Sequence, residues 1–382
     1  MTIGVLQEQT TGERRVALVP AHVASLDKAG VTVVVQAGAG ESSGYPDAWY
    51  RDKGAEIVTS AADVLSRADV LLTVRYAAAA DTPASDVDQL REGSTVIGFL
   101  DPYQQHPSFA RLRDRSVSAF SMELIPRITR AQSMDALSSM ANLAGYKAAI
   151  IAADNLPKMF PMMMTAAGTI VPAKAFVVGV GVAGLQAIAT LKRLGAVVSA
   201  YDVRPAVKEQ VLSLGAKFVE MELETGDAET SGGYAKAMDE EFYRKQRELM
   251  TAVLAETDVV ITTAAVPGKP APTLVTTAMV EGMPRGAVVV DLAAERGGNC
   301  ELTRPGETVV HNGVSIVGPL NLASSLAHDA SQLYSKNITT FLLALIKDGA
   351  LTVDTSDEIV AATLVTHQGS VPSDQIRSRL QL

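Results

Sequence analysis

Short runs of aliphatic and β-branched residues alternate with helix-period patterns along most of the chain. The runs at 3–6, 31–36, 70–74, 95–99 and 117–121 predict one series of strands. A second series is predicted at 174–178, 197–201, 217–219, 259–263, 287–292 and 314–317. Many of these runs are apolar throughout rather than alternating, as strands buried on both faces must be. Strand–helix alternation implies βαβ units and parallel sheets, and right-handed crossovers make such sheets doubly wound. The fold class read from the pattern is α/β, with two Rossmann-like doubly wound parallel-sheet domains. Two long helical patterns, at about 133–154 and 321–347, exceed the average helix of ~11–12 residues. Two readings of them are open: they join two domains, or they are core helices of one large domain. In the first reading, domain one is discontinuous, 1–135 plus 325–382, and domain two is 136–324.

Composition narrows the function classes. The chain has 382 residues, 47% hydrophobic and 20% charged, which is ordinary for a globular protein and excludes global disorder. With 33 basic and 42 acidic residues, the net charge of −9 leaves no basic footprint for nucleic acid. A single cysteine, Cys300, excludes an internal disulfide and a cysteine-rich metal site. The five histidines, His22, His106, His311, His328 and His367, show no metal-ligand spacing, so no metal is expected. Mean hydropathy is +0.17. The most apolar stretch, 160–191, is interrupted by Pro161, Pro172 and Lys174, and reads as a loop, a buried strand and a helix. It is too broken for the ~20 apolar residues of a membrane span. The first residues lack a signal-peptide layout, which points to an intracellular protein.

The segment 220–241 breaks the rhythm: it is acidic, short of apolar residues, and centred on Ser231-Gly232-Gly233-Tyr234. Long polar loops inside compact α/β domains are commonly functional. The expectation is a mobile lid that swings the Tyr234 ring onto a ligand; the plainer alternative is a surface insertion.

The strongest motif is a predicted buried strand followed by Gly179-Val180-Gly181-Val182-Ala183-Gly184 and a helix, the pattern G-x-G-x-x-G. Gly179 permits the tight turn, Gly181 lets backbone approach a pyrophosphate, and Gly184 permits close helix–strand packing. The helix N-terminus then offers free N–H groups and partial positive charge. The next strand ends at Asp202, at the spacing of a carboxylate for ribose hydroxyls. Asp202 favours NAD(H) over NADP(H), although Arg204, two residues on, is of the type that accommodates a 2′-phosphate. The loops 262–268 and 291–299 follow strands of the same series and belong at the ligand-binding edge of the sheet. A polar cluster, with Arg127, Gln132, Ser133, Asp135 and Ser138, opens the first long helix. Capping explains Ser133 and Asp135. An arginine, an amide and a carboxylate are equally suited to hold a nicotinamide carboxamide and its ribose, and spacing does not separate the two readings.

The segments MELIPRITRAQSMDALSSMANLAGYKA, FPMMMTAAGTIVPAK, VVGVGVAGLQAIATLKRLGAVVSAYDVRP, TAAVPGKPAP and SGGYAK, with ERRVALVP near the start, together resemble one family. It is the NAD(H)-binding domain I of proton-translocating NAD(P) transhydrogenase, in its form as a separate soluble alpha subunit, which is related to alanine dehydrogenase. The resemblance covers nearly the whole chain. It implies an NAD site in the cleft between two domains joined by the long helices, and a homodimer. It implies direct hydride transfer between NADH on this chain and NADP+ on a separate domain, coupled to proton movement by membrane subunits. The chain would then be cytoplasmic, held at the inner membrane only through its partners. By resemblance, Arg127, Gln132, Asp135 and Ser138 orient the nicotinamide and its ribose. Gly179, Val180, Gly181, Val182, Ala183 and Gly184 form the pyrophosphate turn. Asp202 is the ribose carboxylate, with Val203 and Arg204 beside the adenosine. Gly233 and Tyr234 match the tip of the mobile loop, and Gln246 and Ala265 lie near the nucleotide.

Two alternatives are weighed against this reading. Alanine dehydrogenase uses a Lys and a His of its first domain on the keto acid, but 69–75 here has no Lys and 96–101 no His; Thr73 and Asp101 stand there instead. Arg15 is the one residue of that substrate site present, and Glu295 stands where an aspartate is expected. Reductive amination needs an acid/base at the keto carbon, so this reading is poor. A catalytically dead NAD sensor would keep the fingerprint, but it has no need of the cluster around Arg127 and Gln132. The chain departs from the family pattern at 76–80, 101–105 and 351–382, away from the inferred nucleotide site.

Overall fold

The computed structural model describes residues 1–76, 85–104, 106–220, 240–266 and 268–382. The Gly233–Tyr234 loop tip therefore lies outside the described residues. The chain divides into two compact units, Met1–Met140 with Ala323–Leu382, and Ala141–Leu322.

The first unit holds a seven-stranded sheet in the order Leu364–Thr366, Ser118–Ser121, Thr95–Phe99, Val70–Arg75, Thr2–Val5, Thr32–Gln36, Glu56–Val58. All neighbours pair in parallel except Leu364–Thr366, which runs antiparallel to Ser118–Ser121. The second unit holds another seven-stranded sheet: Lys217–Phe218, Val197–Tyr201, Lys174–Val178, Val259–Thr262, Val288–Asp291, Val314–Val317, Thr308–His311. Here Thr308–His311 is the antiparallel edge. Both sheets are doubly wound, as the strand pattern predicts.

Burial explains why the central strands read so clearly. In Lys174–Val178, Ala175 and Val177 join one apolar cluster while Phe176 and Val178 join another. The first cluster includes Ala148, Ala149 and Ala152 of helix Ala136–Asn155 and Ile188 and Leu191 of helix Val182–Arg193. The second includes Met250 and Leu254 of helix Glu240–Leu254 and Met279 of helix Thr277–Glu281. A strand covered on both faces has no polar side to show.

The structure corrects several element boundaries. Three edge strands, Glu56–Val58, Thr308–His311 and Leu364–Thr366, are absent from the pattern reading. The apolar stretch read as a loop before its buried strand contains an exposed two-stranded hairpin, Met163–Thr165 with Gly168–Ile170. The first long helix begins at Ala136, after a 3-10 segment Thr129–Met134. The second is helix Ala327–Leu345, preceded by the 3-10 segment Leu322–Leu326.

Chain order reverses in each sheet between two neighbouring strands, and ligands of doubly wound sheets bind at that switch point. In the first unit it lies between Thr2–Val5 and Val70–Arg75, and Glu8 fills it. Its carboxylate accepts the Thr73 hydroxyl at 2.9 Å and the Val74 and Arg75 amides at 2.6 and 3.0 Å. Nearby, Arg15 and Glu13 form an ion pair with side chains 3% and 0% exposed. The buried Tyr334 hydroxyl donates to the Thr73 carbonyl at 2.7 Å. Glu123 repeats the device one strand along, accepting the Leu100 and Asp101 amides at 3.1 and 2.8 Å. Thr73 and Asp101 thus serve as donors to structural carboxylates.

Burial pushes the Glu8 carboxyl up from 4.5 to about 7, against the lowering effect of its three hydrogen bonds. A folded-state value above the unfolded one makes a contribution to stability that is complete below about pH 4.5 and lost as pH rises through about 7. The full shift corresponds to about 3 kcal/mol at most. We predict that denaturant midpoints of the chain fall between pH 5 and 8, and that Glu8→Gln flattens this slope. An equal slope in both proteins would show that Glu8 is ionised throughout.

Candidate functional site

The switch point of the second unit lies between Lys174–Val178 and Val259–Thr262. The turn that leaves the first of these strands is Gly179–Gly184. Gly179 has φ +92°, the left-handed region that favours glycine, and a Cβ there would sit 2.7 Å from Thr263 Oγ1. A Cβ on Gly184 would lie 2.0 Å from the Gly179 carbonyl oxygen, so only glycine lets the helix start directly over the turn. A Cβ on Gly181, by contrast, would meet nothing within 4 Å. The three glycines thus divide into two that permit contact within the protein and one that faces open space.

Helix Val182–Arg193 begins there with Gly181 at its N-cap, no side-chain cap and no acidic residue in the first turn. Its first amides and partial positive charge are directed into the space above Gly181. This donor set fits a dinucleotide pyrophosphate. A further glycine completes the arrangement: a Cβ on Gly145, in helix Ala136–Asn155, would lie 2.1 Å from the Ala183 carbonyl oxygen. The sequence pattern does not single out Gly145, because its neighbour is 38 residues away in the chain (183 − 145).

Asp202 follows strand Val197–Tyr201, as its spacing predicts, but its carboxylate is already engaged. Oδ2 accepts the Val180 amide at 2.7 Å and Arg204 Nη2 at 2.8 Å. Oδ1 accepts the Arg204 amide and Arg204 Nε, both at 2.9 Å. The pair is well buried, with Arg204 14% and Asp202 6% exposed in their side chains. Val203 beside it packs on the second apolar cluster.

Opposite the glycine turn, Thr263 Oγ1 donates to the Gly179 carbonyl at 2.8 Å. The next residue, Ala264, is held at both backbone groups by Asn299. Its amide donates to Asn299 Oδ1 at 2.9 Å, and its carbonyl accepts Asn299 Nδ2 at 2.8 Å. Asn299 is in turn held by Asp291, which is fully buried and also accepts Thr262 Oγ1, Thr303 Oγ1 and the Ala293 and Cys300 amides. The 262–268 and 291–299 loops are therefore one hydrogen-bonded unit, a role for Asn299 that spacing alone does not reveal. Ala265 is exposed at its edge. Gln246 is buried, its Nε2 donating to the Tyr201 hydroxyl at 3.1 Å, which places it at the carboxyl end of the Asp202 strand.

The polar cluster falls in the first unit. Asp135, not Ser133, caps the long helix: its Oδ1 accepts the Ser138 amide at 2.8 Å and its Oδ2 the Ser138 hydroxyl at 2.6 Å. Ser133 lies inside the 3-10 segment, where its carbonyl accepts Asn337 Nδ2 at 2.9 Å. Arg130 pairs with Asp357 at 2.8 and 2.9 Å. Arg127 and Gln132 are exposed. The structure thus joins Asp135 to Ser138, and Asp202 to Val180 and Arg204. It places these two groups in different units.

The histidines carry structural contacts. His22 meets Ser335 Oγ at 2.7 Å, His106 accepts the Ser108 amide, His311 meets Glu281, His328 stacks on Tyr45 and His367 meets Ser118 Oγ. Among the described residues no helix is long and apolar enough to cross a membrane.

Loss of the Asn299 clamp leaves three polar groups without it, each costing about 1 kcal/mol or more. We predict that Asn299→Ala lowers stability by about 2–4 kcal/mol and speeds hydrogen exchange at the Ala264 amide. Unchanged exchange there would mean the loop is held by other contacts.

Two family domains account for almost the whole chain. The alanine dehydrogenase/PNT N-terminal domain matches residues 4–144, and the alanine dehydrogenase/PNT C-terminal domain matches residues 148–374. The first part of the NAD(P) transhydrogenase alpha subunit of Rhodospirillum rubrum, a separate chain, is 49% identical over 374 residues, 97% of either chain. A crystal structure of transhydrogenase from Sinorhizobium meliloti, 48% identical, superposes with a TM-score of 0.87 over 97% of this chain and 100% of that one. The alanine dehydrogenase of Mycolicibacterium smegmatis is 29% identical over 390 residues, covering 100% of this chain and 97% of that one. The chain belongs to the alanine dehydrogenase/PNT family, on its transhydrogenase side.

Proposed function

We propose that this chain is the NAD(H)-binding component of a proton-translocating transhydrogenase. The observation that carries the reading is the open glycine turn at the switch point of the second sheet, with an uncapped helix N-terminus behind it. Gly181 and the first amides of helix Val182–Arg193 hold the pyrophosphate. Asp202, with Val203 and Arg204 beside it, receives the adenosine end. Arg127, Gln132, Asp135 and Ser138 orient the nicotinamide end. When bound, NADH supplies a hydride that passes directly to NADP+ held on a separate domain. The protein's own contribution is proximity and orientation, which can carry a reaction that needs no acid/base chemistry. Gln132 is exposed and suits contact with the partner's nucleotide. Proton movement belongs to membrane subunits, to which this chain attaches from the cytoplasmic side, as a homodimer.

The same geometry argues against amino-acid dehydrogenation. At the switch point of the first sheet, Glu8 occupies the Thr73 hydroxyl and the Val74 and Arg75 amides. A keto acid would have to displace this carboxylate and would find Thr73 and Asp101 in place of a Lys and a His.

The test is reconstitution with an NADP(H)-loaded partner domain, comparing Gln132→Asn and Asp135→Asn with the unaltered chain. NADH affinity is expected to stay within about threefold, while single-turnover hydride transfer falls by about 10²-fold or more. Fast transfer in both variants would reduce the cluster to a helix cap. Alanine-dependent reduction of NAD+ by the purified chain is expected to be undetectable, and a robust rate would favour the dehydrogenase reading instead.

A further inference from the structure

We infer that Arg204 is an internal competitor of the nucleotide: its guanidinium occupies the acceptor positions of Asp202 that a ribose diol requires, and so weakens NADH binding. The inference rests on the proposed NAD(H) site and adds a specificity device to it.

A carboxylate has about four lone-pair positions in its plane. Asp202 uses them on four donors: the Val180 amide, the Arg204 amide, Arg204 Nε and Arg204 Nη2. The two backbone donors are part of the turn. They fix the carboxylate against the glycine loop whether or not a ligand is present. The two guanidinium donors belong to a side chain, and a side chain can leave. Arg204 Nη2 also reaches the Val180 carbonyl at 3.3 Å, so the fork lies across the start of the glycine turn. Two ribose hydroxyls seeking Asp202 therefore meet a filled acceptor, and they bind only as the fork withdraws.

The exchange is unequal. A bidentate guanidinium–carboxylate pair is charge-assisted, whereas hydroxyl–carboxylate bonds have a neutral donor. The pair is also well buried, so water does little to weaken it. Breaking it consumes part of the binding energy of every nucleotide that uses Asp202. The pairing also changes discrimination. An unpaired Asp202 repels a 2′-phosphate, but a paired one presents no net charge, and the withdrawn guanidinium is itself a phosphate donor. Arg204 thus lowers affinity for NADH and narrows the gap to NADPH, whereas Asp202 alone would widen it.

The experiment is equilibrium titration of the full chain and of Arg204→Ala and Arg204→Gln with NADH and with NADPH, read by nucleotide fluorescence. Both variants are expected to bind NADH about tenfold more tightly than the unaltered chain, and NADPH about tenfold more weakly. Methylguanidinium added at millimolar concentrations should compete with NADH in Arg204→Ala and have little effect on the unaltered chain, a response that a merely structural arginine would not produce. If the unaltered chain binds NADH and both variants bind it equally well or less tightly, the competitor role is wrong while the site stands. If the unaltered chain binds neither nucleotide, the site itself is wrong. Should Arg204→Ala not fold, because Asp202 is left buried and unpaired, Arg204→Gln retains a donor and decides the question alone.

Discussion

Everything at the candidate site depends on how closely the backbone at the start of helix Val182–Arg193 is approached by other backbone. The Cα of Gly184 sits over the Gly179 carbonyl, and the Cα of Gly145 sits against the Ala183 carbonyl, each so near that a Cβ would fall about 2 Å from oxygen. These contacts set the helix onto the end of its strand and a second helix against its first turn. With the protein side of the turn closed in this way, Gly181 is left with open space and the uncapped amides have one direction to face. Thr263, bonded to the Gly179 carbonyl, closes the other side, and Asn299 fixes the loop behind Thr263.

The two sheets have the same winding and opposite solutions at their switch points. In the second unit small residues leave space there. In the first unit the chain supplies its own ligand, Glu8, whose carboxylate pins the strand exit at Val74 and Arg75, with the Glu13–Arg15 pair and Tyr334 nearby. One fold thus yields a binding edge and a closed edge, depending on whether glycine or a carboxylate follows the first strand. This contrast gives a structural reason to place the nucleotide in the second unit and to discount an amino-acid substrate in the first.

What is legible in the sequence follows from local against distant causes. Central strands such as Lys174–Val178 and Val197–Tyr201 announce themselves because burial on both faces forces continuous apolar runs. Edge strands such as Thr308–His311, with Val310 68% exposed, carry no such signal. The glycine turn is legible because its spacing encodes a local conformation. Gly145, Glu8 and Asn299 are not, because each acts on a residue far away in the chain. Sequence does not separate Ser133 from Asp135 as the helix cap, since both are good capping residues and only the intervening 3-10 segment decides between them. Spacing finds Asp202, but its engagement by Arg204 is a matter of side-chain geometry that spacing does not carry.

If backbone approach at the helix start shapes the nucleotide turn, the most direct measurement is NADH affinity of Gly145→Ala, with folding checked independently by circular dichroism and thermal melting. The substitution adds one methyl group at a position that touches the Ala183 carbonyl and no proposed ligand group. The expected result is a folded protein whose NADH affinity falls by about tenfold or more, as the first helical turn is pushed off the glycine loop. A folded Gly145→Ala protein that binds NADH as tightly as the unaltered chain would contradict it.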